Sequence, residues 1–222
     1  MKCFSKSRQS RGRQLGPQLR ILILAVSCLS ALPTIADEAT CGTLRNAVGP
    51  FDFRTPNVDM LRTVEDYHFT LEVESLKKGA TGQVGGDIDY VLRAFPNHPR
   101  ALAAMVALRF KSGTDRPLGA KWPVPCYFER AVRFVPDDGR VRTIYGVYLL
   151  RLDRPAEAIE EFKSAATLGE DGVNLHYNAG LAYFDIGDYA LSLEHAKKAY
   201  ALGLTLPGLR NKLEKAGKWT AD

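Results

Sequence analysis

The stretch that decides the fold is Tyr177-Asn178-Ala179-Gly180-Leu181-Ala182-Tyr183-Phe184-Asp185-Ile186-Gly187-Asp188-Tyr189. Small residues sit between aromatic ones at helical spacing, and Gly187-Asp188 then marks a turn into a second helical run. Displacing the chain by 34 residues overlays this half on itself. Gly146 meets Gly180, Ala156 meets Ala190, Glu160 meets Glu194 and Lys163 meets Lys197. Ala165 meets Ala199, Leu168 meets Leu202 and Gly169 meets Gly203. One period upstream, Phe128 meets Phe162 and Ala131 meets Ala165. A fixed period of this length is the mark of stacked supersecondary units. Gly146 and Gly180 are expected to let a first helix approach its partner closely, with Ala158 and Ser192 as the matching small positions. Ala165 and Ala199 leave room for the next unit.

These residues resemble the tetratricopeptide repeat, a 34-residue pair of antiparallel helices. The resemblance implies an all-α fold: a short solenoid of antiparallel helix pairs with an irregular N-terminal segment and a C-terminal capping helix. Complete copies span 173–206 and 139–172. Pro155 stands at the turn of the latter, where a first-turn proline is tolerated. Both copies lack the closing proline, with Glu170 and Leu204 in its place, whereas Pro136 supplies it upstream. A degenerate copy is expected over 97–136, with helices Arg100–Phe110 and Pro125–Phe134 around a Lys111–Trp122 loop insertion. Residues 59–96 suggest a further pair, Met60–Leu76 and Asp87–Ala94. The tail 207–218 places Leu209, Leu213 and Ala216 on one face with cations around it, as a solenoid cap requires.

Over most of the chain the sequence also resembles a group of exported bacterial tetratricopeptide proteins. The resemblance runs from Cys41-Gly42-Thr43-Leu44 and Gly49-Pro50-Phe51-Asp52-Phe53-Arg54 through Phe95-Pro96-Asn97-His98 to Leu206-Pro207-Gly208-Leu209-Arg210-Asn211-Lys212-Leu213. That group has no settled biochemical activity, so the resemblance implies a fold more than a function.

The 222 residues carry a formal net charge of +5, which on its own would suit nucleic acid or an anionic membrane. Lys2, Lys6, Arg8, Arg11, Arg13 and Arg20 lie in residues 1–36, which hold no acid. The remainder has 24 basic against 25 acidic residues, the 30 of the whole chain less these six. The basic balance is therefore no argument for nucleic acid. After these cations come an apolar run from Ile21 to Leu32, then Pro33 and Thr34-Ile35-Ala36, the order of a secretory signal peptide. A retained anchor is the alternative. The expectation is an exported, most simply periplasmic, protein whose residues after cleavage contain no transmembrane span. Cys41 and Cys126 then lie in an oxidising compartment, which suggests one disulfide; two separate buried thiols are the alternative.

No catalytic residue, metal site or cofactor is identifiable. The histidines His68, His98, His176 and His195 are not at metal-ligand spacing. Gly82-Gln83-Val84-Gly85-Gly86 lacks the Gly-Lys-Ser/Thr of a phosphate loop and reads as a flexible linker into a helix. Repeat arrays bind through the concave surface that first helices line. The inner positions from the periodicity are Thr143, Val147, Leu150 and Arg151, then Tyr177, Asn178, Leu181, Phe184 and Asp185. That mixture suits a protein or peptide partner, and an adaptor or assembly scaffold is the leading reading. The alternative is a ligand-binding protein or enzyme with a pocket joining His68 to Gly49–Arg54.

Overall fold

The computed structural model describes residues 41–220, so the expected signal segment 1–36 lies outside the described residues. These residues form ten α-helices and no strand. In order they are α1 Val58–His68, α2 Leu71–Glu74, α3 Val84–Ala94, α4 Pro99–Ser112 and α5 Val124–Phe134. There follow α6 Gly139–Arg151, α7 Pro155–Thr167, α8 Val173–Asp185, α9 Tyr189–Ala201 and α10 Gly208–Lys215. The closest pairs are α6 with α7 and α8 with α9; α7 packs on α8, and α10 lies against both α8 and α9.

Local chemistry fixes the helix starts. The Asp138 carboxylate accepts from the backbone N–H of Arg140 and Val141 at 3.1 and 3.4 Å, and Asp188 accepts from Leu191 at 3.1 Å. These caps satisfy N–H groups that a helix end leaves without partners. Prolines stand in the first turns of α4, α5 and α7, where a missing N–H costs nothing.

One apolar core runs through α1 to α6, a second joins α6 to α9, and a third forms where α10 meets α8 and α9. The period of 34 carries into α10: Val141, Leu175 and Leu209 are equally spaced and all buried. The C-terminal helix is therefore half of a further unit, in register with the array. Leu209 and Leu213 are fully buried, while Ala216 is exposed just after the helix ends.

Gly146 lets α6 approach α7 by making room for the Phe162 ring, from which a Cβ would stand 2.5 Å. Two expectations change. The Met60–Leu76 helix breaks after His68, because the buried Phe69 turns in against His98 and Thr70 begins a new turn by accepting from Val73 N–H. The glycines of 82–86 are not a free linker. A Cβ on Gly85 would stand 2.4 Å from the Leu118 carbonyl oxygen, and one on Gly119 would stand 2.6 Å from Gly86 N. The insertion loop is thus laid directly onto the start of α3. Its far end is held as well, since Lys121 N–H donates to the Tyr127 hydroxyl at 3.1 Å and that hydroxyl donates to buried Asp89 at 2.5 Å. Burial pushes the Tyr127 phenol well up, with the Asp89 charge adding to it, so the hydroxyl stays a donor.

The irregular segment 41–57 is bound to α3, α5 and the α3–α4 turn. The Cys41–Cys126 disulfide ties it to α5, with Cα atoms 5.1 Å apart. Arg130, buried on α5, donates to the carbonyls of Cys41, Gly42 and Thr43 at 3.1, 3.3 and 2.7 Å. Its guanidinium lies 4.0 Å from the Trp122 ring centre, a desolvated cation–π contact.

Candidate functional site

The nine candidate partner-binding residues lie on two first helices but do not form one open surface. On α6, Thr143 is buried rather than exposed, and its hydroxyl donates to the Gly139 carbonyl at 3.2 Å. Val147 and Leu150 are half-buried along the second core. Arg151 is exposed, with its guanidinium 3.9 Å from the centre of the Phe110 ring of α4. On α8, Tyr177, Leu181 and Phe184 pack into the third core beneath α10. Asp185 pairs with Lys212 of α10 at 3.1 Å, and the same ammonium lies 5.0 Å from the Phe184 ring centre. Asn178 donates to the Asn174 carbonyl at 2.8 Å and is half-buried. Of the nine, Thr143 is buried, Arg151 and Asp185 are exposed, and Val147, Leu150, Tyr177, Asn178, Leu181 and Phe184 are half-buried.

The alternative pocket does not assemble around His68. That ring stacks on Tyr90 at 3.8 Å, and its Nδ1 lies 3.0 Å from Asp87. Asp87 is buried and also accepts from Ala80 N–H, Thr81 N–H and the Thr81 hydroxyl, so His68 helps to pin the 79–82 turn. Phe53 and Arg54 instead line a cleft of about 460 Å³ with Asn97, Asp137, Asp138, Arg140 and Glu170. Asn97 organises its floor. The buried amide accepts from Phe53 N–H at 2.9 Å and donates to Asp52 at 2.8 Å and Asp138 at 2.9 Å. Arg54 pairs with Asp52 at 2.8 Å and Asp137 at 3.1 Å. Its guanidinium is the main reason that the Asp52 carboxyl is lowered to about 2.

Two histidine clusters went unseen in the sequence. Fully buried His98 caps α4: its Nδ1 accepts from Ala101 N–H at 3.2 Å, so Nε2 carries the hydrogen toward Glu65 at 3.0 Å. Burial lowers its pKa. His176 and His195, on opposite helices of the last pair, meet through their Nδ1 atoms at 2.9 Å. The signal for that contact was present. In an antiparallel hairpin, residues equidistant from the turn face one another, as Gly180 and Ser192 do across the same turn. Among the described residues, no group of three or more His, Cys, Asp or Glu side chains could hold a metal ion. No described helix is long and apolar enough to cross a membrane.

No family model matches the chain, and no curated protein matches it in sequence. Among solved structures it is similar to PilW, a type IV pilus biogenesis factor, at 17% identity and a TM-score of 0.52, covering 74% of this chain and 72% of that one. Two structures of MamA are similar at 22% and 20% identity, each with a TM-score of 0.42, covering 68% of this chain and 81% and 80% of theirs. The helix pairs, their period and the likeness to PilW make this an all-α fold of the tetratricopeptide type.

Proposed function

We propose that this is an exported protein-interaction module, an adaptor or assembly scaffold of the bacterial periplasm or envelope. The residues that carry the reading are Val147, Leu150, Arg151 and Asn178. They offer half-buried aliphatic groups and an exposed cation on α6 and a half-buried amide on α8. Such a mixture offers apolar anchors with a polar rim, as protein interfaces do. Stacking on Phe110 orders the Arg151 guanidinium in advance, so less side-chain freedom is lost when a partner engages it. The three-part N-terminal order and the disulfide support export.

A photo-crosslinking amino acid at Val147 or Leu150, in the organism that makes the protein, tests this reading. The same adduct is expected from both positions and none from exposed Lys163 on α7. Arg151→Glu should weaken that adduct. Identical products from all three positions, or none from Val147 and Leu150, would remove the proposed surface.

A second reading is favoured by the cleft beside Arg54. Its volume and its mixture of Arg140, Asp137 and Glu170 suit a small zwitterionic or polar ligand. A panel of such ligands should then raise the melting temperature of the protein but not of Arg140→Ala.

A further inference from the structure

Asp171, His176 and His195 form a line of contacts across the last helix pair. Nε2 of His176 lies 2.6 Å from Asp171 Oδ1, and its Nδ1 lies 2.9 Å from Nδ1 of His195. The carboxylate accepts from Nε2–H. An imidazole nitrogen either carries a hydrogen or offers a lone pair, so the Nδ1–Nδ1 contact holds a single hydrogen. His176 is buried at 4% exposure, and His195 is half-buried with its ring stacked on Tyr183 at 5.4 Å. Water therefore does little to screen a second charge there. With both rings protonated, two N–H groups would point at each other across 2.9 Å, and the helices or the rings would have to part.

We propose that the Asp171–His176–His195 line is a proton-sensing site that fastens α8 to α9 near neutrality and opens the α8–α10 end of the array in acid. What opens follows from the packing. One turn away, the Ser192 hydroxyl donates to the Gly180 carbonyl at 2.8 Å, and Leu209 of α10 sits over Gly180. Parting the pair disturbs both and uncovers Tyr177, Leu181 and Phe184.

The surrounding charges do not supply a stabilising site for the second proton. On α9, Glu194 is the acid beside His195, but Lys198 holds it at 2.9 Å. Lys197 and Lys198 follow on the same helix, and α8 contributes His176 and the neutral phenol of Tyr183. From α7, Lys163 and Glu160 reach the Tyr183 side as a pair 2.9 Å apart. On α10, Lys212 is engaged on Asp185 and Arg210 over Tyr200 and Trp219. Burial first and the neighbouring His176 second lower His195 to about 4. A folded value below the free value of about 6.5 means that the stabilisation is complete above that pH and is lost as pH falls toward 4.

Hydrogen exchange of the full chain at pH 7.5 and pH 5, corrected for intrinsic rates, tests the site. One proton taken up on opening predicts about tenfold more opening per pH unit below 6.5, hence about thirtyfold faster exchange in α8–α10 at pH 5. Amides of α6 should keep their rate, and His195→Gln should abolish the response. Equal rates at the two pH values, or an unchanged response in His195→Gln, would overturn the proposal. If that variant does not fold, side-chain titration of the native protein by NMR decides. His195 must gain its proton below pH 5, and titration near 6.5 would overturn the site. Each readout uses the protein alone, so the result is independent of the partner-binding reading.

Discussion

Leu209 of the C-terminal helix occupies the space that a Cβ on Gly180 would need: such an atom would stand 2.5 Å from the Leu209 Cδ2 methyl. One unit upstream the same space above Gly146 is filled by the Phe162 ring. The residue equivalent to Phe162 in the last unit is Ala196, which is too small to fill it. The array therefore closes by lending a leucine from α10 where its own second helix lacks a large side chain. Gly180→Ala should cost about 1–3 kcal/mol by overpacking, and Leu209→Ala about 2–5 kcal/mol by leaving a cavity. Combined, they should cost less than their sum, because the new methyl enters the space the leucine vacates. Denaturant unfolding of the four proteins gives the comparison; strict additivity would show that the two sites do not share that space.

The disulfide and Arg130 fasten the same stretch of chain, one covalently and one through three carbonyls. The bridged cysteines are 85 residues apart, so in the chain-entropy model the bridge contributes roughly 4–5 kcal/mol at most. Cys41→Ser/Cys126→Ser should lower the melting temperature by an amount that reductant does not increase. The native protein should shift only when reductant reaches these two buried sulfurs. A double variant that melts with the native protein would mean that the segment is held without the bridge.

Asn97 joins three groups that otherwise have no reason to meet: the Phe53 amide, Asp52 and the α6 cap Asp138. Asn97→Ala leaves the half-buried Phe53 N–H without its acceptor, at about 1–3 kcal/mol, while Asp52 keeps Arg54 and Asp138 keeps the N–H groups of Arg140 and Val141. Asn97→Asp should be worse still, since it sets a third carboxylate against two others. Thermal unfolding of both variants checks the order; Asp better tolerated than Ala would point to a different role for the amide.

How much of this was legible depends on periodicity. The pairs α6–α7 and α8–α9 and the cap all repeat small and large residues at a fixed interval, and Leu175 to Leu209 extends that interval into the cap. The helical face that carries Val147, Leu150 and Arg151 also follows from it, but not the packing of α10 against Tyr177 and Phe184. A helical face can be read without revealing whether a later helix will lie on it. The contact of Gly119 with Gly86 has no periodic trace, because it is backbone against backbone between an insertion and a helix start. Asn97 resembles any loop asparagine until the N-terminal segment is seen to fold back over it.

Asp52 links that segment to acid stability, and the sign is fixed by its lowered carboxyl. Its folded value of about 2 lies below the ordinary 3.8, so ionised Asp52 favours the folded state. That contribution is complete above about pH 4 and is lost as pH falls through about 2. The side chain is a quarter exposed, so solvent screens part of the attraction to Arg54. Asp52→Asn should lower stability at pH 6 while flattening its decline between pH 4 and pH 2. The Arg54 contact, the largest cause, should account for most of the difference, so Arg54→Gln should give a similar profile. Denaturant midpoints at several pH values distinguish the cases. If the Asn variant and the native protein stay separated by a constant amount down to pH 2, the carboxylate is held by its hydrogen-bond shape rather than by its charge.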